Sequence, residues 1–147
     1  MKSMAKSVAS QFLFGVLVIL GCNGVHLYAS DKYQLSISST IPAAEGVVYI
    51  EQGSKTSNTE VKIKIQHLSL PENLTGPENT YVVWVRPSNG SGTAQNIGAL
   101  TLDKDLDGTL KTVVPFKKFD LFITPEASSV VSEPSGQHLL WTSITLK

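Results

Sequence analysis

The run Tyr81-Val-Val-Trp84-Val85-Arg86, the turn Pro87-Ser-Asn89-Gly90-Ser-Gly92 and the following Asn96-Ile-Gly98-Ala-Leu100-Thr-Leu102 decide how this chain folds. In the first run β-branched and aromatic side chains fill both alternation sets. Tyr81, Val83 and Val85 fall on one face and Val82 and Trp84 on the other, the pattern of a strand covered on both sides. It reads as the central strand of a sheet.

On either side of that strand the chain is a train of short runs separated by turn residues, which is the signature of a sandwich or barrel. Tyr33, Leu35 and Ile37 alternate with Gln34, Ser36 and Ser38, and Gly46 to Ile50 follows. The clearest alternation is Val61, Ile63 and Ile65 inward against Lys62, Lys64 and Gln66 outward, a strand with one wet face. Leu70 to Asn79 is too rich in Pro, Gly and Asn to be regular structure. Downstream of Asn89-Gly90, a turn signal, come Asn96 to Leu102, the turn Asp103 to Gly108, the strand Thr109 to Val114, and core material from Phe116, Phe119, Phe122 and Ile123. After the loop Pro125 to Gly136, a last strand places Leu140, Ile144 and Leu146 on one face. No stretch beyond residue 30 shows a helical apolar repeat. The expectation is an all-β fold, an antiparallel two-sheet sandwich of about eight strands, immunoglobulin-like in broad outline, with a closed barrel as the other arrangement the same periodicity allows.

The chain begins as an export signal. Met1 to Gln11 holds Lys2 and Lys6 and no acid, Phe12 to Leu20 is an apolar run, and Gly21, Asn23 and Gly24 follow. That run is shorter than the roughly 18 apolar residues a spanning helix needs. Cleavage after Leu27-Tyr28-Ala29 would release a chain starting near Ser30. Ile19-Leu20-Gly21-Cys22 resembles a bacterial lipobox, in which the signal ends at Gly21 and Cys22 becomes a lipidated first residue. Residues 1–29 are thus read as the signal and residues 30–147 as one domain, long enough to bury a core.

Cys22 is the only cysteine. The exported domain therefore lacks disulfides, a cysteine nucleophile and a thiolate metal site. The chain has 12 basic and 12 acidic side chains. All the acids lie beyond residue 30, while Lys2 and Lys6 lie in the signal, so the domain is mildly negative and offers no basic patch for nucleic acid.

The second half of the chain resembles the extracytoplasmic C-terminal domain of anti-sigma-K factors. The residues that carry the likeness are Tyr81-Val-Val-Trp84-Val85, Asn96-Ile-Gly98-Ala-Leu100, Phe119-Asp-Leu-Phe122-Ile-Thr124-Pro-Glu126 and Pro134-Ser-Gly136, in that order, within Thr80 to Ile144. Family members also have a cytoplasmic sigma-binding domain and a membrane span, and neither is found here. Ala127-Ser128-Ser129 stands where the family often has a glycine pair. The resemblance implies a bacterial envelope protein with the sensor-side fold and without the regulatory output.

Asp103-Lys-Asp105-Leu-Asp107-Gly108 fits the opening of a calcium loop, with carboxylates at positions one, three and five. Val114 stands where a bidentate Glu should close the shell. The other reading is an acidic hairpin turn, in which Asp and Gly tolerate positive φ. For catalysis, His67 falls on the inward set with Ile63 and Ile65, His138 opens the last strand, and His26 lies in the signal. No nucleophile elbow or phosphate-cradling loop is present. Trp84 reads as core, whereas Trp141, opposite Leu140 in the alternation, is either the candidate exposed contact or lies under the Pro125 to Gly136 loop.

The sequence points to a non-enzymatic module, periplasmic or extracellular and either free or lipid-anchored. Such a module would interact with or sense an envelope protein or small ligand through loops such as Leu70 to Asn79 and Pro125 to Gly136. A structural or adhesive module, stiffened by calcium at Asp103, Asp105 and Asp107, is the alternative. No cofactor other than that calcium is expected.

Overall fold

A computed structural model describes residues 30–52, 58–74, 76–88 and 92–147. Cys22, Ala29 and the rest of residues 1–29, where the export signal is expected, lie outside the described residues. The strands are β1 (Asp31–Gln34), β2 (Ser36–Ile37), β3 (Glu45–Gln52), β4 (Thr59–Gln66), β5 (Thr80–Pro87), β6 (Gln95–Ala99), β7 (Thr101–Leu102), β8 (Gly108–Val114), β9 (Lys118–Glu126) and β10 (Leu140–Thr145). Between β4 and β5 one 3₁₀ turn, Pro71–Asn73, interrupts the loop.

The strands form two antiparallel five-stranded sheets, ordered β1-β3-β4-β8-β7 and β2-β10-β9-β5-β6. This is the two-sheet sandwich the alternation predicts. Among the described residues there are ten strands and not about eight, because two runs divide between the sheets. One crosses at Leu35 and the other at Leu100, both buried, and their N–H groups donate to the Gly46 and Tyr81 carbonyls at 2.9 Å. The two crossing runs occupy opposite sides of the sandwich and link its sheets there. β5 turns into β6–β7, which turns into β8, and β8 pairs with β4, the strand before β5. That return makes a Greek key.

The alternation in β4 holds: Val61, Ile63 and Ile65 are buried and Lys62, Lys64 and Gln66 are exposed. They enter one core with Tyr81, Val83 and Val85 of β5 and Phe119, Leu121 and Ile123 of β9. Each fully buried aliphatic contributes about 2 kcal/mol by leaving water. β5 is an interior strand, as its doubly apolar pattern requires, but it is not the middle one. β9 takes that place because β5 has only the edge strand β6 on its other side. A bulge between Val83 and Trp84 skips Ile97, and Gly98 sits there at φ 131. The Asn96 Oδ1 accepts from the Gly98 N–H at 2.9 Å, removing one donor from an edge that could otherwise template another strand.

The other face of β5 is buried as well, but not by a third sheet. Val82, Trp84 and Phe122 form a second cluster, packed by Ala94 and by Val131 from the loop joining β9 to β10. That loop gives this face of the second sheet its special character.

Candidate functional site: an aromatic cleft on the outer face of the second sheet

Strand register lays the outer face out in rows. Trp84, Phe122, Trp141 and Ser36 lie side by side across β5, β9, β10 and β2. The next row is Arg86, Asp120 and Ser143. On the other side of the aromatic row, Val82 pairs with Thr124, and Thr80 with Glu126.

The β9–β10 loop folds back over the Thr124 and Glu126 end of this face and is tied down there. The Trp84 Nε1–H donates to the Thr124 Oγ1 at 2.8 Å, and the Thr124 hydroxyl donates to the Glu126 Oε1 at 2.6 Å. That same oxygen accepts from the Ser135 and Gly136 N–H groups at 2.9 and 3.2 Å, and the Ser135 hydroxyl donates to Oε2 at 2.5 Å. Farther along, the Asn96 Nδ2 donates to the Ser129 and Val131 carbonyls, and the Asn79 Nδ2 to Ala127. Asn79 thereby places the Leu70 to Asn79 loop and the β9–β10 loop at the same end of the sheet. Burial alone would raise the Glu126 pKa, but the hydrogen bonds from Ser135, Thr124 and Gly136 outweigh it and hold the carboxyl below its ordinary value. Trp84, Asn96, Thr124, Glu126 and the Pro134-Ser-Gly136 turn thus anchor this one loop.

Where the loop ends, the face opens into a cleft of about 180 Å³ lined by Arg86, Asp120, Phe122, His138, Trp141 and Ser143. Phe122 is its floor, and the His138 ring stacks on it with centroids 4.1 Å apart and planes at 21°. The Arg86 guanidinium carbon lies 6.0 Å from the Phe122 centroid, at the edge of cation–π range, and its Nη2 is 3.8 Å from the Asp120 Oδ2. The Asp120 Oδ1 accepts from the hydroxyls of Ser88 at 3.1 Å and Ser143 at 2.7 Å. Trp141 stands 42% exposed at the rim. Desolvation first, and the nearby Arg86 second, lower the His138 pKa from 6.5, so its imidazole is neutral at pH 7.

Of the residues singled out in the sequence, Trp84 is core, as expected, and Trp141 is exposed at the rim and does not lie under the loop. His67 does not join the inward set. It takes φ 57 just past β4, breaks the alternation and is exposed. His67 lies at the end of the first sheet and His138 over the outer face of the second, with the core between them.

The Asp103 turn is self-contained. The Asp103 Oδ1 accepts from the Asp105 and Asp107 N–H groups at 2.9 and 3.0 Å, and the Asp107 Oδ1 accepts from the His67 N–H at 3.3 Å. Among the described residues no group of three or more His, Cys, Asp or Glu is placed to hold a metal. The left-handed residue of this turn is Leu106, at φ 63. Gly108, given that role by the sequence, instead makes room in β8: a Cβ there would meet the Leu68 Cδ1 at 2.9 Å. A shallow concavity of about 430 Å³ beside the turn includes Glu45, Tyr49, Lys64, Asp103 and Asp107.

Arg86, Asp120 and Ser143 were not picked out from the sequence, and His138 was considered there only as a histidine opening the last strand. The only local signal was the outward alternation of Trp141 and Ser143, because their neighbours come from strands about 20 to 60 residues away along the chain, brought alongside by sheet pairing. No protein-family model matches the chain, and no curated protein matches it. What fold and site together define is a Greek-key β-sandwich with a loop-walled aromatic cleft.

Proposed function

We propose that this protein is an exported, non-enzymatic binding module of the bacterial cell envelope, and that the Trp141 cleft with its β9–β10 loop is the contact surface. The observation that carries this reading is the half-open aromatic row. Trp84 and Phe122 of the row are covered, while Trp141 beside them is left 42% exposed next to a cleft. Leaving an indole in water wastes burial that a purely structural face would use, and exposed aromatics beside a concavity are common at contact sites.

The side chains also favour binding over catalysis. Asp120 is engaged by Ser88, Ser143 and Arg86, and His138 is stacked on Phe122. The likeness to the sensor-side domain of anti-sigma-K factors supports an envelope location. On that likeness the module receives a signal or partner. The hydrogen bonds that occupy Asp103 favour this over a calcium-stiffened adhesive module.

The test is in-cell cross-linking of the native-signal protein, with a photoreactive residue placed at position 141 or, as control, at Val113, which is exposed on the first sheet. The expected result is one adduct from position 141 that position 113 does not give. Equal labelling from both positions, or none from 141, would remove the cleft as the contact surface. The intact mass of the mature protein, taken from the same preparation, decides between cleavage after Ala29 and lipidation of Cys22.

A further inference from the structure

The two rows that form the cleft differ in chemistry and are spaced for a particular kind of ligand. Trp141 offers exposed aromatic surface beside the covered Phe122. Two residues along each strand, about 7 Å away, Arg86, Asp120 and Ser143 offer a line of hydrogen-bonding groups. An occupant must present an apolar side and a polar edge within one small ring's width.

The hydrogen-bonding inventory is mixed. The Asp120 Oδ1 takes two serine hydroxyls, but among the described residues Oδ2 has only the long 3.8 Å approach of Arg86. A carboxylate oxygen has two lone pairs, so Oδ2 retains acceptor capacity. The Arg86 side chain is 44% exposed and keeps N–H groups free to donate outward. Acceptor and donor therefore stand side by side, as a pair of neighbouring hydroxyl groups requires.

Charge and size narrow the choice. The guanidinium of Arg86 is balanced by Asp120, and the neutral His138 adds nothing, so the cleft selects neither anion nor cation. Its volume of about 180 Å³ is well below the roughly 300 Å³ at which ordinary ligand pockets begin, which suits a ligand unit no larger than a single ring. One six-membered ring with its substituents fits.

We propose that the cleft is a subsite for one neutral pyranose unit of a saccharide, with the C–H face of the sugar against Trp141 and its hydroxyls on Asp120, Arg86 and Ser143. This rests on the reading of the protein as a binding module and names the ligand class of the same cleft. Stacking on the indole contributes apolar burial, and the Arg86–Asp120–Ser143 line fixes the orientation.

The experiment is a ¹H–¹⁵N titration of the mature domain with the methyl glycosides of glucose, galactose and mannose and with N-acetylglucosamine, using glucuronate as an anionic control. The chain has two tryptophans, so the indole of Trp84, buried and bonded to Thr124, is an internal reference. At least one neutral sugar should shift the Trp141 indole and Ser143 amide saturably and leave Trp84 in place, with glucuronate binding no more tightly. Trp141→Ala and Asp120→Asn, each checked for an unchanged Trp84 signal, should weaken binding about tenfold or more, read at the Ser143 amide. Silence at Trp141 with every neutral sugar, tighter binding of glucuronate, or undiminished binding in both variants overturns the proposal. A protein adduct from position 141 with all sugars silent sinks the saccharide and leaves the binding module standing. The absence of both sinks the two together.

Discussion

Glu126 ends β9 with 1% of its surface exposed, and its two carboxylate oxygens take hydrogen bonds from Thr124, Ser135 and Gly136. A buried carboxylate so supplied is favoured as the anion. Its pKa is lowered from the ordinary 4.5, so its stabilising contribution is complete above pH 4.5 and is lost as the pH falls through the depressed value. Glu126→Gln should cost about 2 kcal/mol at pH 7 and flatten the acid limb of stability against pH, measured by urea unfolding. An unchanged acid limb would mean that the carboxyl is not held as described. Tyr81 shifts the other way. Burial first and Glu72 second raise its pKa to about 12, and its hydroxyl donates to the Ser69 carbonyl at 2.7 Å. The neutral phenol stabilises the fold below about pH 10, and that support is lost as the pH rises through about 12. Thr-x-Glu was visible in the sequence as a pattern. Its reason was not, because the Ser135 and Gly136 donors reach Glu126 only when the loop folds back.

The β9–β10 loop is an element without regular structure that nonetheless covers half a sheet face. Its fastening depends on Gly136, where any Cβ would collide with the Pro125 carbonyl oxygen and approach the Pro125 ring Cδ at 2.9 Å. A backbone carbonyl cannot move aside as a side-chain tip can. Gly136→Ala should therefore free the loop at a cost of about 2 kcal/mol. Amides of residues 127–139 should then exchange faster and Trp84 emission should shift to the red, while β3 and β4 keep their protection. Full protection of the loop in that variant would show that its attachment lies elsewhere. The Asp103 turn behaves differently, because its bonds are local. Asp103→Ala removes the acceptor of two backbone N–H groups and should lower stability by about 1 kcal/mol. Thermal melts should show the same loss in calcium and in a chelator, and a loss confined to calcium would restore the cation site.

The two sheets are joined by crossing runs on both sides, at Leu35 and Leu100, so the molecule should unfold as a unit. Strands adjacent in space are often distant in sequence, β2 with β10 and β4 with β8 among them. Such a topology forms slowly, in roughly milliseconds to seconds. A single cysteine permits no internal disulfide. Denaturant unfolding of the mature domain should show one transition with coincident fluorescence and circular dichroism, and the same midpoint with or without reductant. Separate transitions for Trp84 fluorescence and sheet content would mean that the loop-covered face melts apart from the core.

Which segments are strands, and which of their faces are wet, could be read directly from the chain. Lys62, Lys64 and Gln66 had to face outward once Val61, Ile63 and Ile65 faced in, because the two-residue period is a property of one strand alone. The doubly apolar run at Tyr81 to Val85 likewise announced a strand buried on both sides. Only the tertiary structure decided that a loop, and not a third layer, covers Trp84, that β9 is the middle strand, and that two runs split between sheets. It also turned His67 outward through one left-handed residue. Apart from the outward alternation of Trp141 and Ser143, the cleft belongs to this second group. Asp120, His138 and Trp141 carry no signal of their association until β9 and β10 pair, and pairing partners are chosen by packing between segments far apart in the chain, which no local pattern encodes.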